Sequence, residues 1–190
     1  MLEAGFQPDF PPDVIAQARQ PARISATAAR DLRSLLWSSI DNDSSRDLDQ
    51  VEFVEQLPDG TVRLLVGIAD VDASVPKGSA TDQHAAVEST SVYTGVATFP
   101  MLPAELSTDL TSLLDAQDRF SIIIELHILD SGDVKAHDVY PAWLRNRAKL
   151  AYSSTGAWLE GRAPIPPAVA NVPGMEAQLR LQLETSERCV

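Results

Sequence analysis

The sequence predicts an α+β domain with a mainly antiparallel sheet and helices added on one side. Three observations predict it. β-rich runs come early in the chain, two of them are joined by Pro58-Asp59-Gly60, and helical patterns gather towards the end.

Residues 1–30 carry Pro8, Pro11, Pro12 and Pro21 with an Ala-rich stretch behind them, the composition of a loosely ordered arm or linker. Residues 31–190 form the folded part. From Ser34 the chain turns apolar, then reaches a polar cluster at 41–49 that reads as a loop feeding a strand. Residues 51–57 and 61–71 predict a tight hairpin about Pro58-Asp59-Gly60. Residues 79–91 predict a helix with Ala80, His84, Val87 and Ser91 on one face, and Pro100 and Pro103 bracket an irregular segment at Met101 and Leu102. Residues 119–129 return to strand, and Ser131-Gly132-Asp133 turns the chain into a further strand over 134–140. Two helical patterns follow at 153–159 and 175–188. The second carries Met175, Leu179, Leu183 and Glu187 on one stripe and lacks a Gly or Pro cap, as if cut off. There is no internal repeat.

A chain of 190 residues fits one domain, and 44% hydrophobic content suffices for a core. Cys189 stands alone, so no disulfide framework exists and a reducing compartment, the cytoplasm, fits best. The N-terminus lacks a basic region followed by an apolar run, and the richest apolar stretch, 122–129, is broken by Glu125 and His127; neither an export signal nor a membrane span is expected. The formal net charge of −12 repels phosphate backbones unless cations or a local basic face intervene. No Ser-His-Asp or Cys-His order, Gly-rich phosphate loop or zinc spacing is present; His84, His127 and His137 are scattered as surface or core residues.

The informative feature is Asp41, Asp47 and Asp49. Side chains two apart in an extended segment point the same way, so Asp47 and Asp49 can converge while Leu48 packs behind, with Asp41 reaching across the loop. A few carboxylates at ~2.0–2.1 Å, with water and phosphate completing the shell, suit Mg²⁺, with Mn²⁺ as a second candidate. Two other readings fit the same residues. Asp41, Asp43, Ser45, Asp47, Asp49 and Glu52 match calcium-loop spacing, although Arg46 stands where the turn wants Gly. The cluster also reads as an Asx-rich turn without a ligand.

The residues Ser39-Ile40-Asp41 and Arg46-Asp47-Leu48-Asp49 resemble the metal-binding signature of the ribonuclease II (RNB) family. The family's order continues in Gly67-Ile68-Ala69-Asp70-Val71, Ser91-Val92-Tyr93, Pro100-Met101-Leu102-Pro103, Leu106-Ser107 with Ser112-Leu113, and Arg147-Ala148-Lys149-Leu150-Ala151-Tyr152. The resemblance implies a hydrolase that degrades single-stranded RNA from its 3′ end, releasing nucleoside 5′-monophosphates with Mg²⁺. It assigns Asp41, Asp47 and Asp49 as ligands, with Gln50 as an auxiliary where the family has a second aspartate, and Tyr93 as the aromatic that stacks on a base. Asp70 reads as a cap or as support behind the ligands. Arg145, Arg147 and Lys149 are the densest basic run, either a phosphate contact or a solvated face.

The family's catalytic domain extends about as far again beyond residue 190 and there carries a catalytic Arg and much of the RNA channel; cold-shock and S1 domains flank it. The resemblance thus covers the N-terminal half of an RNB-type domain, expected to be weak or inactive alone, with a second polypeptide as one source of the rest. The contrasting functional class is a non-catalytic acidic domain that binds Ca²⁺ or a protein partner.

Overall fold

The structure, a computed structural model, describes residues 3, 5–20 and 28–189. In chain order it runs α1 (Pro12–Ala18), β1 (Arg30–Asp31), β2 (Trp37–Asp41), β3 (Gln50–Gln56), β4 (Val62–Ala69), α2 (Ala80–Glu88), β5 (Val92–Tyr93) and β6 (Thr98–Phe99). A π-helical turn at Leu106–Leu110 precedes β7 (Asp118–Ile128), β8 (Val134–Ala151), α3 (Tyr152–Leu159), α4 (Pro167–Ala170) and α5 (Met175–Arg188). Two compact units result, one from Met1–Ser25 with Asp70–Ser112 and one from Ala26–Ala69 with Leu113–Val190.

The second unit is built on a six-stranded sheet in the order β1-β8-β2-β3-β4-β7, in which β7 also pairs with β8. The succession β8-β2-β3-β4-β7 therefore returns on itself. Closure of this kind removes open edges that would template aggregation. Every contact along it is antiparallel except those of β8 with β1 and β2, which are parallel. The expected hairpin is present as β3 and β4, from Gln50↔Ile68 to Gln56↔Val62, and Gly60 at the turn has φ +85°.

Strand β8 exceeds the expected 134–140 by eleven residues, because Pro141 sits in the β7 ladder opposite Ile122 and does not end the strand. From Tyr140 to Leu150 it alternates: Tyr140, Ala142, Leu144, Asn146, Ala148 and Leu150 are buried, while Arg145, Arg147 and Lys149 are partly exposed on the other face. Its inner face meets Trp37, Leu48, Val51, Phe53, Leu65 and Ile123 in the main core. A second cluster joins Ala148 and Leu150 to Trp158, Val169, Met175 and Leu179.

Helix α5 buries Met175, Gln178, Leu179 and Thr185 and leaves Leu183 39% exposed, so its buried face departs from the expected Met175-Leu179-Leu183-Glu187 stripe. The reason is polar: the Gln178 amide donates to the Val54 carbonyl and accepts from the Val54 N–H, both at 2.7 Å, and so satisfies the edge of β3 where β2 has ended.

In the first unit, residues 12–18 of the stretch read as an arm form helix α1. Pro12 stands in its first turn, where a missing N–H costs nothing, and Val14 and Ala18 are buried. Residues 21–27 of that stretch lie outside the described residues. Gln17 Oε1 accepts from the Thr81 N–H at 2.9 Å and hydroxyl at 2.8 Å, tying α1 to α2. The expected helix is present as α2, with Ser79 as its cap, but the buried face is Thr81, His84 and Glu88, with Val87 51% exposed, because Phe10 packs on the His84 ring and the Gln7 N–H donates to Glu88. No helix among the described residues is long and apolar enough to cross a membrane.

A charged cluster continues the core-facing side of the sheet beyond Leu65 and Ile123. Glu125 on β7 accepts two hydrogen bonds from Arg63 on β4, both at 2.9 Å, and one each from Tyr140 at 2.5 Å and His127 at 2.9 Å. The Arg63 guanidinium leads in holding the Glu125 carboxyl at about 2, below its ordinary 4.5. A depressed carboxylate contributes stability that is complete above its unfolded value and is lost as pH falls through the folded one. Urea unfolding at stepped pH should therefore show stability falling between pH 4.5 and about 2, and Glu125→Gln should flatten that fall; an unchanged slope in the variant would remove Glu125 from the account.

Candidate active site

The acidic cluster lies between two strands of the second unit. Strand β2 runs parallel to the end of β8, with Ile40↔Leu150 and Asp41↔Ala151 in register, and Tyr152 opens α3 immediately after. The sheet therefore sets Asp41 beside Tyr152. At the far end of the loop Leu48 is 2% exposed and its carbonyl accepts from Leu113 N–H at 2.8 Å, while the Asp49 carbonyl accepts from Ala69 N–H at 2.9 Å. Leu48 packs behind, as its spacing predicts, and Gln50 begins β3.

Side chains of β8 hold this loop. The Lys149 ammonium donates to the carbonyls of Asp43 at 3.3 Å and Ser45 at 2.5 Å. Fully buried Asn146 donates to Ser39 Oγ and to the Leu113 carbonyl, both at 2.9 Å, and its own carbonyl oxygen accepts from Ala148 N–H. Within the loop, Asp41 Oδ1 accepts from Asn42 N–H at 2.6 Å and the Ser45 hydroxyl at 3.0 Å, an Asx-type turn.

The result is a cavity of about 190 Å³ lined by Ser39, Asp41, Leu48, Asp49, Gln50 and Tyr152, among others. Two of the three expected carboxylates face it. Asp47 is not in the lining, and among the described residues no three His, Cys, Asp or Glu side chains are gathered to hold a metal ion. The donors that do face the cavity, two carboxylates and an amide oxygen, are hard oxygens, which fit a hydrated Mg²⁺ or Mn²⁺ that takes one or two protein carboxylates and leaves the rest to water and phosphate. The calcium-loop reading is not favoured: the loop joins two strands and not two helices, and Glu52, its twelfth position, lines a second cavity. That cavity, about 300 Å³, shares Ser39, Ile40, Gln50 and Tyr152 with the first, and burial holds the Glu52 carboxyl above its usual range.

The remaining predicted residues fall elsewhere. Tyr93 lies on β5 of the first unit and is 67% exposed. Asp70 accepts from Ala73 N–H at 3.1 Å, a turn-capping role. The basic run is occupied by the fold itself: Arg145 pairs with Asp118 at 2.6 Å, Arg147 donates to the Arg33 carbonyl, and Lys149 holds the acidic loop. Tyr152 is the residue that sequence reasoning left out of the site. It stands in the Arg147–Tyr152 segment, but only the β2–β8 register brings it to Asp41.

The RNB domain family model matches residues 29–189, and the chain belongs to that family. The chain is 37% identical to ribonuclease R of Thermotoga maritima over 156 residues, covering 80% of this chain and 22% of that protein. It is 38% identical to exoribonuclease 2 of an Enterobacter species over 133 residues, covering 70% and 21%. Among solved structures, Mycoplasma genitalium RNase R in complex with ribose-methylated single-stranded RNA superimposes with TM-score 0.87 and 27% identity, over 99% of this chain and 29% of that one. The chain thus spans less than a third of the length of these proteins.

If Lys149 holds the loop, Lys149→Met should speed amide hydrogen exchange at residues 42–48 about tenfold or more while leaving β4 and β7 protected. Unchanged exchange in the loop would show that the two carbonyl contacts contribute nothing to its order.

Proposed function

We propose that these residues serve a 3′-to-5′ exoribonuclease that shortens single-stranded RNA by metal-assisted hydrolysis and releases nucleoside 5′-monophosphates. The observation that carries this reading is the cavity where Asp41, Asp49 and Gln50 meet Tyr152. Membership of the RNB family and the ribonuclease names of the relatives support it. Asp41 and Asp49 would hold Mg²⁺ or Mn²⁺, with the Gln50 amide oxygen as a neutral auxiliary; Asp47 stays in the ligand set on the resemblance alone. When bound, the metal would activate water and offset charge on the leaving 3′ oxygen.

The chain's own residues do the positioning. Lys149 and Asn146 hold the loop and β2, and so would keep the Asp41 and Asp49 carboxylates directed at a divalent cation. Tyr93 would stack on a base, a contact of about 1–3 kcal/mol that tolerates any sequence. With a net charge of −12 and the densest basic run engaged in the fold, RNA binding would be weak, metal-assisted and steeply salt-dependent. A lone exposed Cys189 fits a cytoplasmic setting. The matched region is about a fifth of the relatives' length, so a charge-offsetting cation and the channel wall would come from outside these residues, a second polypeptide being one source.

The metal site is tested by titrating Mn²⁺ into the chain and following water-proton relaxation. Wild type should bind, and Asp49→Asn or Asp41→Asn should weaken binding by about tenfold or more; identical curves for wild type and both variants would refute the site.

Activity is tested with a 5′-labelled single-stranded RNA and Mg²⁺ or Mn²⁺. One missing preorganised electrostatic contact costs about 10²- to 10³-fold in rate. The 190-residue chain alone should therefore stay near background, and a chain extended by the family's remaining half should gain processive shortening, more so with Gln50→Asp. Robust shortening by the 190 residues alone, abolished by Asp49→Asn, would show that they suffice.

A further inference from the structure

Glu52 follows Gln50 by two residues on the same face of β3. It is partly buried, and among the described residues its carboxylate has neither a hydrogen-bond nor an ion-pair partner. The cavity of about 300 Å³ that it lines has apolar walls in Ile40 and Leu159 and neutral polar groups in Ser38, Gln50 and Gln182. Tyr152, 58% exposed, stands between this cavity and the one that Asp41 and Asp49 line. Thr155 in the wall is 1% exposed, and among the described residues its hydroxyl has no hydrogen-bond partner.

A partly desolvated carboxylate with no donor is costly, so the cavity favours an occupant that brings N–H groups. A hard metal ion suits it less well than the neighbouring cavity, since its other polar groups, the hydroxyls and amides of Ser38, Ser39, Thr155 and Gln182 among them, are neutral and Glu52 is its one carboxylate. An anionic group is repelled by Glu52 together with Asp41 and Asp49. A flat neutral ring with apolar faces and an amino group on one edge meets every requirement, and the volume is at the lower bound of known ligand cavities. Carboxylates accept in this way from the exocyclic amine of cytosine, and an exposed phenol offers a stacking surface.

We propose that this cavity is a nucleobase subsite beside the reacting end, in which Glu52 accepts from the exocyclic amine of cytosine or adenine and Tyr152 borders the ring. The inference rests on the RNA-directed reading above, and it makes Glu52 a specificity-determining residue. Cytidine and uridine differ at that edge, an amine against a carbonyl, and form the discriminating pair.

The experiment is an NMR titration of the full chain with each nucleoside in EDTA, for wild type, Glu52→Gln and Leu159→Trp, with the amide spectrum of each variant as the check on folding. Cytidine should bind about tenfold more tightly than uridine, the lower end of what one base-edge pair discriminates. Glu52→Gln should bind the two alike, because an amide can accept or donate, and Leu159→Trp should fill the cavity and lose both. Equal affinity in wild type, no saturation by either nucleoside, or a preference that survives Glu52→Gln would overturn the subsite. Stronger binding of L-arginine amide than of cytidine would assign the cavity to a basic peptide and likewise overturn it. Because the assay contains neither metal nor cleavage, a chain that binds Mn²⁺ but does not discriminate nucleosides loses the subsite and keeps the hydrolase reading.

Discussion

The pairing of β8 along both of its edges is the constraint on which the second unit depends. Residues 134–145 pair with β7 on one edge, and residues 142–151 meet β1 and then β2 on the other. Strand β2 is short and has a single register pair with β3, at Ser38↔Glu52, so its position is set chiefly by β8. Moving that register by one residue would turn Leu144, Ala148 and Leu150 out of the cores and Arg145, Arg147 and Lys149 into them, which makes slippage costly. Buried Asn146 adds direction to the apolar alternation, since its amide finds both of its acceptors only in the native register.

The same strand supplies the site. Its inner face builds the core beneath the acidic loop, its outer face sends Lys149 to the loop carbonyls, and its end delivers Tyr152 next to Asp41. The charge economy of the chain follows from this arrangement. Asp31 and Asp118 share Arg33, and Asp118 takes Arg145 as well, so the outer basic face is largely neutralised within the fold. What remains open towards a substrate is acidic. An acidic cavity is a poor surface for bare phosphate and a suitable one for a hydrated divalent cation, which is why the metal carries so much of the proposed chemistry.

Gln50 and Glu52 give the neighbourhood its individual character. One contributes an uncharged donor beside two carboxylates, and the other places a charge in a mostly apolar recess. Both lie on one face of β3, so substitutions at either alter the electrostatics of adjoining cavities without disturbing the hairpin, whose register is set by Pro58-Asp59-Gly60 and by the buried Val51, Phe53, Val62 and Leu65.

Much was legible from local chemistry. The β3–β4 turn needs a residue with positive φ and has Gly60, and the β7–β8 turn has Gly132 at φ +86°, because these features are decided within a few residues. The RNB resemblance and the polar loop about Leu48 were likewise readable, since period-two spacing already separates a packed Leu48 from the carboxylates on either side. The continuation of β8 beyond Pro141, the helical state of residues 12–18 and the buried faces of α2 and α5 were not, because each depends on a partner distant in the chain: Ile122, Thr81, Phe10 and Val54. The sequence by itself determined the fold class, the family and the acidic character of the site. Only the tertiary structure decided that Asp41 and Asp49 share a cavity with Tyr152 while Asp47 does not, and that Lys149 serves the loop, because a parallel pairing more than a hundred residues apart leaves no mark in local pattern.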